Sequence, residues 1–123
     1  MDKASKRVLL VEDDDVNQLI ATHILAKAGI IPETADNGQA AVDRIRTEAY
    51  DLILMDIEMP IMGGLEATQL IRQMDLGRNV PIVAMTAHSF PEKLAEIHAA
   101  GMNDFIIKPF DRAKVQQIFD KYL

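Results

Sequence analysis

The spacing of apolar positions switches back and forth between two periods along the whole chain. Short, mainly apolar runs read as strands: Arg7 to Val11, Ile30 to Ala35, Leu52 to Met55, Ile82 to Met85 and Phe105 to Ile107. Between them the apolar residues recur at helical spacing. A first helix is predicted over Asp15 to Ala28, closed by Gly29, and a second over about Gln39 to Glu48, burying Ala41, Val42, Ile45 and Ala49. A third runs from about Gly64 to Leu76 with Ala67, Leu70, Ile71 and Met74 on one face. Pro91 opens a fourth, which Gly101 ends, and a fifth starts at Asp111 with Val115, Ile118, Phe119 and Tyr122 in line. Strands that are apolar on both faces, each followed by a helix, predict a parallel sheet covered on both sides: an α/β, doubly wound (βα)5 sandwich.

Composition fits that reading. The 123 residues suit one domain, expected to span 1–123 with its core from about residue 7. Hydrophobic residues make up 49% and charged residues 26%, as in a globular protein. No apolar run approaches the roughly 20 residues that span a bilayer, and the N-terminus lacks a secretory signal, so direct membrane contact is not expected and the location is read as cytoplasmic. With no cysteine there can be no disulfide and no thiolate site. The net charge of −6, with basic residues scattered apart from Lys3, Lys6 and Arg7, argues against direct nucleic-acid binding.

In a doubly wound sheet, ligands bind beyond the carboxyl ends of the strands. Here the first strand ends in Glu12-Asp13, with Asp14 and Asp15 behind, the third in Asp56, the fourth in Thr86 and the fifth in Lys108. Carboxylates this close repel one another unless a cation offsets them. Oxygen donors without histidine or cysteine favour Mg²⁺ (or Mn²⁺), which works beside phosphate. A lysine, a hydroxyl and a nucleophilic carboxylate complete a set suited to phosphoryl transfer onto Asp56. Singly, each residue has a blander reading: Asp14 or Asp15 as a helix cap, Asp56 as a turn carboxylate, Lys108 as a surface charge. Their joint arrival at separate strand ends carries the signal. An EF-hand starting at Asp13 fails, because Gln18 stands where glycine is needed and Ile24 where glutamate is needed.

"VLLVEDDDVNQ", "YDLILMDIEMPIMGGLEAT", "PIVAMTAHS" and "DFIIKPF", in this order from about Arg7 to Leu123, resemble the receiver domain of two-component response regulators, most of all receivers attached to hybrid sensor histidine kinases. The resemblance implies a flavodoxin-like fold with strand order 2-1-3-4-5. It implies Asp56 as phosphoacceptor, with Glu12, Asp13, Asp56 and the Glu58 carbonyl as metal ligands. Thr86 and Lys108 would contact the phosphoryl group, across a Lys108-Pro109 bond that can be cis. Thr86 and Phe105 would form the switch, while Glu58 and His88 would set phosphoryl lifetime. The implied partners are a sensor histidine kinase or histidine phosphotransfer domain and a downstream effector on the surface of the fourth helix, fifth strand and fifth helix. Such a domain is not a turnover enzyme by itself. Gly63 replaces a common aspartate, which predicts a more pliable loop.

On the first helix, Asn17, Ile20, Ala21, Ile24 and Ala28 are read as one face, with Val16 and Leu19 toward the rim. Val16, Leu19, Ile20 and Phe110 are therefore expected to dock the phosphodonor. His23 and His98 are expected at the surface. The rival function is a phosphatase of the haloacid dehalogenase type using Asp13 and Asp15; a flavodoxin is weaker, since four acids would repel its phosphate. No output domain follows Leu123, so the expectation is a receiver that signals by docking or one belonging to a hybrid kinase.

Overall fold

The computed structural model describes residues 5–88 and 90–123; Lys3 lies outside them. Five parallel strands, β1 (Val8–Val11), β2 (Glu33–Ala35), β3 (Leu52–Asp56), β4 (Ile82–Thr86) and β5 (Asp104–Ile107), lie in the order β2-β1-β3-β4-β5. They alternate with α1 (Asp15–Lys27), α2 (Gly38–Ile45), α3 (Gly64–Ile71), α4 (Pro91–Ala99) and α5 (Arg112–Tyr122). This is the expected doubly wound sandwich. No helix among the described residues is long and apolar enough to cross a membrane.

Strand alternation sorts the core into two layers. Leu9, Val11, Ile53, Met55, Ile82 and Ala84 pack with α2, α3 and α4 through Val42, Ile45, Ile71 and Ile97. Val8, Leu10, Leu52, Leu54, Val83 and Met85 pack with α1 and α5 through Leu25, Val115, Ile118 and Phe119. Each further residue along a strand continues one row or the other. Glu12 and Asp56 therefore continue the α1/α5 row, and Thr86 the α4 row.

Several boundaries differ from the sequence reading, each for a local reason. β2 starts at Glu33 instead of Ile30: the Ile30 amide still bonds Leu25 O at 3.1 Å, closing α1, and Pro32 has no N–H to give a ladder. α2 ends at Ile45, short of Glu48, and beyond it Ala49 is exposed while Tyr50 takes the buried position. On α1 the buried stripe is Ala21 and Leu25, followed by Ala28, while Asn17 and Ile20 are exposed. The third helix stops at Ile71, and a single 3₁₀ turn, Asp75–Gly77, replaces its expected last turn.

Arg72 explains that stop. Its guanidinium has no carboxylate partner among the described residues and instead gathers carbonyls: Nε donates to Gly101 O at 2.9 Å, and Nη1 to Gly77 O at 2.8 Å and Val80 O at 2.6 Å. Nη2 donates to Asn103 Oδ1 at 2.8 Å, the same oxygen that accepts from the Ile82 amide at 2.9 Å. The ends of α3 and α4 and the starts of β4 and β5 are thus held as one block, opposite the strand ends that carry the acids. Burial alone lowers the Arg72 pKa without threatening its charge. Arg72→Met leaves several carbonyls unpaired, at about 1–3 kcal/mol for each buried one. Urea unfolding of this variant is expected to show a loss of at least about 3 kcal/mol; a loss under about 1 kcal/mol would mean that water replaces the clasp.

Candidate functional site

Strand register assembles the site. Val11 pairs with Met55, so the residues that follow each, Glu12 and Asp56, leave adjacent strands side by side. Asp56 pairs with Met85, and Thr86 with Ile107, which brings Thr86 and Lys108 to the same rim. Both Glu12 and Asp56 are buried, at 3% and 4% exposure, while Asp13 is exposed. One oxygen from each of the three carboxylates lies within 4.8 Å of the others.

Lys108 is the charge that offsets them. Its Nζ sits 3.2 Å from Glu12 Oε1 and 3.3 Å from Asp56 Oδ1. The Asp56 Oδ1 also accepts the Glu58 amide at 3.2 Å, and the Asp13 amide donates to Glu12 Oε2 at 3.1 Å. The Lys108-Pro109 peptide is cis. Gln18 steadies the first loop, donating to Glu12 O and Asp36 Oδ1, both at 3.1 Å. Gly64 has no substitute here, because a Cβ would run into the Asp56 carbonyl oxygen. Gly63 is the cap residue of α3 with φ −72°, a conformation open to any residue, and its lack of a side chain leaves that helix without a side-chain cap.

One ammonium cannot satisfy two buried carboxylates, and proton binding records the excess. Burial, reinforced by the Asp56 hydrogen bond and charge and only partly offset by Lys108, pushes the Glu12 carboxyl up to about 8. For Lys108 burial opposes the charge, but Asp56 and Glu12 outweigh it and raise the pKa. Three oxygen ligands with no nitrogen or sulfur donor, and a proton held because burial and the Asp56 carboxylate outweigh Lys108, fit a hard divalent cation. Glu12, Asp13 and Asp56 could hold one.

Around the acids is a cleft of about 170 Å³ lined by Glu12, Asp13, Asn17, Asp56, Glu58, Thr86, Ala87 and Lys108. The Thr86 hydroxyl donates to His88 O at 3.1 Å and accepts the His88 amide at 3.0 Å, so it holds the start of the β4–α4 loop. His88 Nε2 faces Glu58 Oε1 at 3.5 Å, and the ring tilts against Phe90 with centroids 5.5 Å apart. His23 and His98 are exposed elsewhere. Phe105 does not line the cleft; it is half-buried against the α4-side core. Beyond Asp56 the loop makes a tight turn, with the Met62 amide on Pro60 O at 2.8 Å and Ile61 at φ 70°, an unfavourable conformation for a β-branched residue.

A second, apolar groove of about 420 Å³ opens beside the first, lined by Ile20, Ala21, Ile24, Met85, Pro109 and Phe110, with Glu12, Asn17, Ala87 and Lys108 shared. Of the four expected docking residues, Ile20 and Phe110 line it, whereas Val16 and Leu19 are exposed at 64% and 71% without forming its wall. Asp15 heads α1 and lines neither space, so the Asp13/Asp15 pair of a dehalogenase-type phosphatase does not form. Asn17 and Ala87 are the cleft residues that the sequence did not mark. Asn17 was hidden by apolar neighbours at helical spacing, and Ala87 has no polar group to signal.

Residues 8–120 match the family model described as the response regulator receiver domain. The chain is 42% identical over 120 residues to the two-component response regulator ORR41 of Oryza sativa subsp. japonica, covering 94% of this chain and 93% of that protein. It is 37% identical over 119 residues to the sensor histidine kinase GacS of Pseudomonas protegens, covering 94% of this chain but 13% of GacS. Among solved structures, the receiver domain of the sensor histidine kinase PA1611 from Pseudomonas aeruginosa, with magnesium coordinated in its active-site cleft, superposes with a TM-score of 0.89 at 39% identity, covering 97% of this chain and 98% of that one. The chemotaxis protein CheY4 of Vibrio cholerae gives 0.89 at 30% identity, covering 96% and 98%. The chain belongs to the response regulator receiver domain family.

The Glu12–Lys108–Asp56 triangle has a pH signature. Folded Glu12 keeps its proton to about pH 8, whereas unfolded it loses it near 4.5, so its contribution to stability declines as pH rises between those values. Lys108→Met is expected to cost about 3 kcal/mol at neutral pH without divalent cation, as for a broken buried ion pair. In urea unfolding the loss widens above pH 8, where the wild type ionises Glu12 and the variant still holds the proton. A loss independent of pH would show that the ammonium does not act on Glu12.

Proposed function

We propose that this receiver, acting as one unit over about residues 7–123 in the cytoplasm, takes a phosphoryl group from a phosphohistidine of a sensor histidine kinase or phosphotransfer domain onto Asp56. The observation that carries the reading is a buried carboxylate at the end of the central strand, bonded by Lys108 and the Glu58 amide, beside two further acids. An Asp56 oxygen attacks phosphorus, the P–N bond breaks, and its electron pair goes to the ring nitrogen. The product is an aspartyl phosphate.

The donor set fits Mg²⁺, with Mn²⁺ as a substitute, held by Glu12, Asp13, Asp56 and the Glu58 carbonyl; when bound it would neutralise charge on the phosphoryl oxygens. The chain's own groups do the rest. Lys108 is placed to exchange its carboxylate contacts for a phosphoryl oxygen, and the strand ends hold acceptor and lysine in fixed positions. Transfer is self-catalysed and stoichiometric, and the domain alone turns over only by losing its phosphate to water. Val16, Leu19, Ile20 and Phe110 supply the apolar surface for the donor.

Output runs through the α4 face. Thr86 and Phe105 belong to that side of the sheet: Phe105 pairs with Ala84, two residues before Thr86 on the same row. When the Thr86 hydroxyl leaves His88 for a phosphoryl oxygen, the β4–α4 loop follows and Phe105 turns further inward. This biases an existing equilibrium in the α4–β5–α5 surface that an effector reads. As phenylalanine, Phe105 switches by packing alone. The Glu58–His88 pair, 3.5 Å apart with Glu58 on the cleft wall, governs how readily water reaches the phosphoryl group.

With Mg²⁺ and radiolabelled acetyl phosphate, the wild type is expected to take up one base-labile phosphoryl group and Asp56→Asn none; label retained in that variant would refute the acceptor assignment. In the same assay, Glu58→Asn with His88→Ala is expected to change the rate of label loss about tenfold. An unchanged rate would remove both residues from control of lifetime.

A further inference from the structure

The turn between β2 and α2 supplies no ligand to the cation site, yet both ligand-bearing loops rest on it. On one side stands Gln18, half-buried near the start of α1. Its Nε2 donates to Glu12 O and to Asp36 Oδ1, both at 3.1 Å. The Glu12 amide bonds Ala35 O at 3.1 Å. The peptide groups on either side of Glu12 are therefore both fastened to the end of β2, one directly and one through Gln18. Asp13 follows with an exposed side chain, so the second of those peptides sets where its carboxylate starts. On the other side of the turn, Gly38 opens α2, and a Cβ there would come within 2.5 Å of Met62 O. The loop that follows Asp56 thus lies flush against the turn. Between the two contacts, Asn37 is locked as the cap of α2, its Oδ1 accepting the Ala40 amide at 2.8 Å.

We propose that Gln18 is a positioning residue for the cation. By tying the Glu12–Asp13 peptide to Asp36, it fixes the acidic pair of one loop relative to Asp56 and Glu58 on the other, and so sets the affinity for Mg²⁺. Gln18 touches none of the carboxylates of the site; it acts on the backbone that carries them. Mg²⁺ demands a near-ideal octahedron of oxygens, so a displaced ligand weakens it sharply. Groups that only orient ligands are commonly worth tenfold or more in metal affinity. A carboxamide suits this task. Both of its neighbours are acceptors, and its NH₂ carries an N–H for each without adding charge beside the acids. The inference rests on the cation reading within the proposed function and adds the residue that tunes it.

The test is a Mg²⁺ titration followed by backbone amide NMR shifts, with no phosphodonor present, on the wild type, Gln18→Glu, Asp36→Ala and Asp36→Asn. Gln18→Glu keeps the shape, removes both donors and adds a negative charge. Charge alone would tighten Mg²⁺ binding, whereas loss of the tie is expected to raise the dissociation constant about tenfold. Asp36→Ala and Asp36→Asn remove the same charge from the surface, but only asparagine keeps an oxygen for Gln18. Asp36→Asn is expected to bind Mg²⁺ close to the wild-type value and Asp36→Ala more weakly. The Mg²⁺ concentration that gives half-maximal labelling from acetyl phosphate is expected to rise in step. Equal or tighter binding in Gln18→Glu, or the same affinity in both Asp36 variants, would overturn the proposal. A wild type without Mg²⁺-dependent shifts would overturn the cation site and this inference together. A protein that follows the expected pattern of affinities yet takes no label would refute only the transfer to Asp56 and leave the tie standing.

Discussion

Two carboxylates are buried side by side with one ammonium between them, and the rest of the molecule is arranged around that imbalance. Glu12 and Asp56 are forced together by the pairing of β1 with β3, which no local change can undo without moving the centre of the sheet. Lys108 reaches both, at 3.2 and 3.3 Å, yet supplies one charge for two. A buried charge left unpaired costs several kcal/mol, so the protein holds a proton on Glu12 instead. That proton is a placeholder for positive charge. A site in this condition favours a divalent cation, and with a cation bound it can accept a phosphoryl group that would otherwise add to the repulsion.

The imbalance is confined to one end of the sheet, and the opposite end is built to resist it. Arg72 ties the ends of α3 and α4 to the starts of β4 and β5 through uncharged carbonyls. Among the described residues the near end of α4 has no such clasp: Phe90 caps it without a side-chain hydrogen bond, and His88 is held by the Thr86 hydroxyl. In the proposed transfer, a change of charge at Asp56 would act on this less tightly held part of the α4 face. Edge strand β2 lies away from this path and is secured separately, by Arg7 and Arg44 on Glu33.

Much of this was legible in the sequence. A parallel sheet covered on both faces writes its strands as uninterrupted apolar runs, so the five strands, and the polar residue ending four of them, could be read directly. The acids, Thr86 and Lys108 followed from the rule that ligands gather at those ends. What was not legible depends on side chains reaching across elements. Nothing in the spacing of α3 shows that Arg72 will collect carbonyls from Gly77 to Gly101 and end the helix early. On α1 the apolar residues outnumber the buried positions, so periodicity placed Asn17 inward, when Leu25 and Ala21 are the ones that pack. Nor does an isoleucine announce a positive φ; Ile61 adopts it because the loop must turn sharply between Pro60 and Met62.

The charge imbalance is measured most directly by carbon NMR titration of the Glu12 carboxyl with and without Mg²⁺. The account predicts a midpoint of about 8 in the metal-free protein and a marked shift to lower pH when Mg²⁺ saturates the site. A midpoint near the ordinary 4.5 under both conditions would mean that Lys108 already balances the acids, and the site would not be poised for a cation.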